Sequence, residues 1–197
     1  MNFKSIFAVA SLSLSAMSMT AQTVEQTPNG VKATVDTLVV ELQYYTPASV
    51  RVLKYPVSEA GKLTKDSYSI IAKPETVDFR MNKSSVRVSL KSDVLGVTLN
   101  LKTGEVSFAD AKGRKLLQEV STSFKPVSDA GRPTFRVSQT FRLDKDEPIY
   151  GLGNYENGSL SMRGFSRTLM PGNVEDGIPV VQSVKGYGII WDNYSPT

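Results

Sequence analysis

Residues 95–102 alternate without a break. Leu95, Val97, Leu99 and Leu101 share one side, and Gly96, Thr98, Asn100 and Lys102 the other. A period of two sends successive side chains to opposite faces of an extended chain, so this segment predicts a strand with one buried and one wet face. The same period recurs along most of the sequence. Val31, Ala33 and Val35 alternate with Lys32, Thr34 and Asp36, and Val40, Leu42 and Tyr44 continue the pattern. Val50 and Val52 follow Pro47, and Val86, Val88 and Leu90 alternate with Arg87, Ser89 and Lys91. Thr103-Gly104 predicts a turn into a return strand at Val106 and Phe108, and a second turn follows at 110–113. Phe135, Val137, Phe141 and Leu143 face away from Arg136, Ser138, Thr140 and Arg142. Residues 179–183 and 187–191 flank a turn at Lys185-Gly186. No stretch holds a helical apolar stripe, and Pro47, Pro56, Pro74, Pro126, Pro133, Pro148 and Pro171 fall mostly between the runs. Many short strands with close turns predict an all-β antiparallel sandwich.

Two absences limit the chemistry. The sequence has no Cys, which removes disulfides, thiolate nucleophiles and cysteine metal sites. It has no His, which removes the usual base of a Ser or Cys triad and the imidazole metal ligands. Asp and Glu remain as the acid–base candidates, and no metal or cofactor is expected. The net charge of +4 comes from scattered basic residues, the densest run being Lys112-Gly113-Arg114-Lys115. A nucleic-acid surface needs a clustered basic stripe, and anionic membranes need a polybasic patch, so neither partner is expected.

Residues 1–21 read as a secretory leader: Lys4, a short apolar run from Ile6 to Leu14, and the small-residue exit Met19-Thr20-Ala21 before Gln22. The run is too short to span a bilayer, and no later stretch approaches spanning length, so no membrane insertion is expected once the leader is removed. The expected location is a periplasm or the outside of the cell. Residues 22–30 are polar and turn-rich and read as a lead-in, with the sandwich domain running from 31 to 197.

The texture changes at Asp146. Glycines, aromatics and amides follow, in Tyr150-Gly151-Leu152-Gly153-Asn154-Tyr155-Glu156-Asn157-Gly158. The spacing is not a dinucleotide fingerprint, since no third glycine opens a helix and no βαβ unit is present. Two readings stand: a glycine-bent strand at a sheet edge, or a surface that meets a ligand or a second domain. The acidic group Asp144, Asp146 and Glu147 reads as a solvated loop. Asn-x-Ser triplets occur at Asn82, Asn157 and Asn193, and in a bacterial protein they carry no glycan.

Tyr150-Gly151-Leu152-Gly153 resembles a motif near the end of the N-terminal domain of glycoside hydrolase family 31. Gln182-Ser183-Val184-Lys185-Gly186-Tyr187-Gly188-Ile189-Ile190-Trp191-Asp192-Asn193-Tyr194-Ser195 agrees with it in order and spacing, most closely with α-xylosidase-type members of Bacteroidetes. Val50-Arg51-Val52 and Tyr68-Ser69-Ile70 resemble early strands of those proteins. The resemblance implies a sandwich of the galactose-mutarotase-like type placed before a (β/α)8 barrel, which carries two catalytic carboxylates of a retaining mechanism. A barrel needs roughly 250 residues, so the domain is expected to be cut off before it, to lack catalytic residues and to be inactive alone. The implied function is that of a domain of a secreted α-xylosidase or α-glucosidase. It would pack on the barrel and help bind an α-linked oligosaccharide.

The resemblance also implies a substrate-facing loop at 161–177, in which Arg163 and Asn173 match best. Asn154 stands where many members carry an acid, which keeps hydrogen bonding and loses charge. The other reading of the loop is a polar segment without ligand contact. Tyr155, Tyr187, Trp191 and Tyr194 could stack on sugars, but aromatics here are more often core or domain contacts. A domain separated from its barrel should expose an apolar face around 187–194. A stand-alone carbohydrate- or protein-binding sandwich is the alternative function.

Overall fold

The computed structural model describes residues 22–62, 66–155, 158–170, 172–173, 175–193 and 195. The leader, Asn157, Pro171 and Tyr194 lie outside the described residues. Antiparallel meanders account for the architecture. A four-stranded sheet runs in chain order through β1 (Thr23–Thr27), β2 (Gly30–Val35), β3 (Leu38–Thr46) and β4 (Ser49–Pro56). After a single 3-10 turn at Val57–Glu59 and an irregular crossing, a six-stranded sheet forms. It comprises β5 (Arg80–Lys83), β6 (Arg87–Lys91), β7 (Leu95–Asn100), β8 (Val106–Asp110), β9 (Lys115–Asp129) and β10 (Arg132–Arg142), each pairing with the next. A three-stranded sheet, β11 (Ile149–Asn154), β12 (Asp176–Ser183) and β13 (Gly188–Ile190), completes the described fold.

The core follows from the alternation. Val31, Ala33, Val35, Val40, Leu42 and Tyr44 from the four-stranded sheet bury against Val88, Leu90, Val97, Leu99 and Val106 from the six-stranded one. Register makes each set contiguous: Leu42 lies opposite Val31, Val40 opposite Ala33, Val88 opposite Leu99 and Leu90 opposite Val97. Each such side chain contributes about 1.5–3 kcal/mol by leaving water. Tyr44 is fully buried, and its hydroxyl crosses the layer, donating to Leu95 O at 2.7 Å and accepting from Ser92 N–H at 3.2 Å.

Three stretches depart from the sequence reading. The polar lead-in contains β1, whose Thr-Val-Glu-Gln-Thr pairs with β2 as an edge strand. Its outer side faces water, so it needs little apolar character. Tyr68-Ser69-Ile70 forms no strand, and Tyr68 is exposed. Lys115–Asp129 forms the longest strand in the described fold, and its alternation is hidden by a register shift opposite Thr140/Phe141.

The two sandwich layers are also joined by a buried ion pair. Lys54 of β4 reaches Glu119 of β9, with the two side chains 5% and 1% exposed. Lys54 Nζ donates further to Gly104 O at 2.8 Å and Thr122 Oγ1 at 3.1 Å. Glu119 accepts from Val106 N–H at 2.8 Å, from the Thr122 hydroxyl at 3.0 Å and from the Gln139 amide. Burial pushes the Lys54 pKa down, and the Glu119 carboxylate opposes that shift. Such a pair is costly to break from one side, because the surviving charge stays buried without a partner. Glu119→Ala should destabilise the domain by about 3–5 kcal/mol, and Lys54→Met combined with Glu119→Leu should lose much less. Urea unfolding of the two proteins checks this; equal losses would contradict it.

Candidate functional site

The glycine motif is a bent edge strand, which is the first of the two readings the sequence allowed. Gly151, Leu152 and Gly153 have φ of 108°, 65° and 113°, and pairing with β12 shifts register between the two glycines. A Cβ on Gly153 would lie 1.6 Å from Asp176 O, and one on Gly151 would lie 2.3 Å from Val180 O. These positions therefore require glycine both for the left-handed backbone and for the close approach of β12. The Tyr155 hydroxyl caps the bend by donating to Leu152 O at 2.9 Å.

The root of this sheet is held by a residue the sequence reading assigned to a solvated loop. Asp144 and Asp146 are exposed as expected, but Glu147 is only 4% exposed. Its Oε1 accepts from the Ser183 hydroxyl at 2.5 Å and the Tyr187 hydroxyl at 2.6 Å, and its Oε2 accepts from Asp144 N–H at 2.9 Å. Lys185 Nζ stands 3.9 Å from Glu147 Oε2 and 2.9 Å from Asp144 Oδ2. Burial pushes the Glu147 pKa up. The hydrogen bonds from Ser183, Tyr187 and Asp144, with the Lys185 charge, outweigh it and hold the carboxyl below its ordinary range. The same carboxylate, together with burial, drives the Tyr187 phenol above its ordinary value. A single acid between Asp146 and Pro148 carries no periodic signal. Only the facing Ser183, Lys185 and Tyr187 distinguish it, and they are 36 or more positions away.

The three predicted substrate-binding residues do not converge on one point. Arg163 Nη1 donates to the backbone carbonyls of Asp144 at 3.0 Å and Glu147 at 2.9 Å. It belongs to the Ile149 end of β11, where Met162 N–H donates to Ile149 O at 2.8 Å. Asn154 ends β11 opposite Asp176, beyond the glycine bend and at the other end of the strand from Ile149. Asn173 lies in a turn closed by Gly172 N–H to Glu175 O at 2.9 Å, three residues before Asp176. Asn154, Asn173, Glu175 and Asp176 are all exposed. That end of the sheet presents exposed amides and carboxylates, while Arg163 braces the other end.

The loop between β11 and β12 folds back on its own sheet. A Cβ at Gly177 would lie 2.9 Å from Leu169 Cα, so the loop backbone passes directly over β12. The Arg167 guanidinium stands 4.7 Å from the Tyr155 ring centroid and 5.2 Å from that of Phe165. Of the aromatic candidates, Tyr187 is committed to Glu147. Trp191 packs edge-on against Phe141 at 5.7 Å, and its Nε1–H donates to Gln139 Oε1 at 3.2 Å. Ile178, Val184 and Ile190 remain exposed on the three-stranded sheet. Among the described residues no group of three or more His, Cys, Asp or Glu side chains could hold a metal ion.

The described residues thus form antiparallel sheets followed by a glycine-bent sheet that carries a polar loop, an accessory-type β domain without a barrel of its own. Residues 39–197 match the model of the glycosyl hydrolase 31 N-terminal galactose mutarotase-like domain, and the chain belongs to glycoside hydrolase family 31. It is 32% identical over 166 residues to an α-xylosidase of Saccharolobus solfataricus, covering 79% of this chain and 22% of that protein. The crystal structure of a family 31 α-xylosidase from Xanthomonas citri superposes with a TM-score of 0.81 at 28% identity, covering 88% of this chain and 19% of that one. A soil-metagenome α-xylosidase complexed with xylose superposes with a TM-score of 0.77 at 21% identity, over 88% of this chain and 28% of that one, and supports the fold. The chain thus covers between 19% and 28% of the length of these relatives.

Glu147→Gln keeps the shape of the buried cluster and removes its charge. Urea unfolding should show a loss of about 1–3 kcal/mol at neutral pH. Glu147 has a depressed folded pKa, so its contribution is complete above the ordinary value of 4.5 and is lost as pH falls through the lower folded value. The gap between wild type and variant should therefore close on acidification. A gap that stays constant into strong acid would contradict the assignment.

Proposed function

We propose that this chain is the leading, non-catalytic domain of an exported retaining α-glycosidase of the α-xylosidase type. In this reading the leader at residues 1–21 directs the enzyme to the periplasm or out of the cell. The two carboxylates of the reaction belong to a barrel in the remainder of the enzyme. The sandwich supplies a rigid base, and the loop between β11 and β12 reaches the sugar site. Asn154 and Asn173 are the residues assigned to sugar hydroxyls there, and Arg163 acts by fixing the loop's root. The single observation that carries the reading is the family match over residues 39–197, with α-xylosidases prominent among the relatives. The half-exposed Ile178, Val184 and Ile190 support packing of the barrel on the three-stranded sheet.

The test compares this chain with the same protein extended through the downstream reading frame, using chromogenic α-xyloside and α-glucoside. The extended protein should hydrolyse the α-xyloside, and this chain should hydrolyse neither. Replacing both Asn154 and Asn173 by Ala in the extended protein should raise KM by about tenfold, each lost hydrogen bond being worth about 0.5–1.5 kcal/mol. A sugar-binding monomer of this chain, with no activity in the extended protein, would favour a stand-alone binding sandwich instead.

A further inference from the structure

The outer part of the β9–β10 hairpin projects beyond the sandwich as a two-stranded ribbon with two unlike faces. Directly opposed residues of an antiparallel pair share a face. One face therefore carries the pairs Thr122–Gln139, Phe124–Val137, Pro126–Phe135 and Ser128–Pro133. The other carries Ser121–Thr140, Ser123–Ser138, Lys125–Arg136, Val127–Thr134 and Asp129–Arg132. The second face is polar, and its serines hydrogen-bond across the strands at 2.8 Å. The first is an apolar stripe in which Phe124 and Phe135 pack edge to face at 6.3 Å. Val137 is 56% exposed, and Pro126 and Pro133 are exposed.

The stripe has a specific origin. Glu119 faces the core, and strict alternation would turn Ser121, Ser123 and Lys125 the same way. One extra residue, Val120, enters β9 between Glu119, which pairs with Phe141, and Ser121, which pairs with Thr140. That bulge resets the alternation, so Thr122, Phe124 and Pro126 continue the core-facing side. The apolar stripe is thus sandwich interior prolonged past β4, the last strand of the opposing sheet. Trp191 covers its base at Phe141 and Gln139, and further out Val137, Pro126 and Pro133 are exposed. A two-stranded ribbon with a bare apolar face is at best marginal in water.

We propose that this face of the ribbon is a docking surface for the remainder of the full-length enzyme. It rests on the reading of the chain as the leading domain of a longer protein. Two observations select that occupant over a second copy of the chain. The relatives are far longer than this chain, which covers only 19% of the Xanthomonas enzyme and 22% of the Saccharolobus one. The stripe is also continuous with the contact of Trp191 on Phe141 and Gln139, so an occupant would extend a surface already covered from the three-stranded sheet. Docking extends the sandwich's second layer over Val137, Phe124 and Phe135, and the polar face with Lys125 and Arg136 stays in water.

The absence of cysteine makes the test direct. Val137→Cys and, on the polar face, Ser138→Cys are prepared both in this chain and in the protein extended through the downstream reading frame. Maleimide modification is followed at the peptide bearing the new thiol by mass spectrometry. The reaction at position 137 should slow by at least about tenfold on extension, as for a site that must open locally to react. The reaction at 138 should be unchanged. Equal rates at 137 in the two proteins would overturn the proposal. So would protection at 137 in this chain that deepens with its concentration, which would assign the face to a second copy. Hydrolysis of α-xyloside by the extended variants separates the two claims. An active protein with a fully reactive Cys at 137 retains the glycosidase reading and loses the docking surface. A protected Cys at 137 in an inactive protein does the reverse.

Discussion

The Glu119 carboxylate is the point on which the three sheets depend. It is buried on β9, bound to Lys54 of β4 on one side and to the amide of Gln139 on β10 on the other. Gln139 in turn accepts from the indole of Trp191, which follows β13. A chain of charge-assisted and neutral hydrogen bonds therefore runs from the four-stranded sheet through the six-stranded sheet to the three-stranded one. Hydrophobic burial supplies most of the folding energy, but it is non-directional. The ion pair and its satellites fix where the layers stop sliding over each other, because a misplaced Lys54 or Glu119 would be left buried without a partner.

A second buried carboxylate repeats the device on a smaller scale. Glu147 collects hydroxyls from both sides of the turn after β12 and the amide of Asp144 from its own loop, and Arg163 closes over the neighbouring carbonyls. The glycines of β11 then let β12 approach to backbone contact, and Gly177 lets the returning loop cross β12. The loop is therefore tied at its root and laid on a rigid strand pair. A loop held in this way has little freedom left to lose on meeting a ligand, which is what the proposed role at a sugar site requires.

The layer architecture was legible because most strands bury one face of alternating residues, as Leu95, Val97, Leu99 and Leu101 do. For β11 the alternate glycines left two readings open, and the structure shows the bent edge strand. The places where the reading ran out share a physical cause. β1 is an edge strand and carries no apolar set. β9 contains a bulge at Val120, which breaks the period of two and conceals that Phe124 and Glu119 share a face. Glu147 looks like its exposed neighbours Asp144 and Asp146, and only partners distant in sequence make its burial tolerable. Arg163 was expected at the sugar site, and in the structure its guanidinium holds the backbone carbonyls of Asp144 and Glu147. Asn154 and Asn173 are exposed at the other end of the same sheet.

The most direct test is a crystal structure of the extended protein with xylose in its active site. The account predicts the loop between β11 and β12 at the rim of that site, with Asn154 or Asn173 within hydrogen-bond reach of the sugar, directly or through one water. It also predicts that the Glu147 cluster is unchanged. A structure in which this loop faces bulk solvent on the side away from the sugar would contradict it.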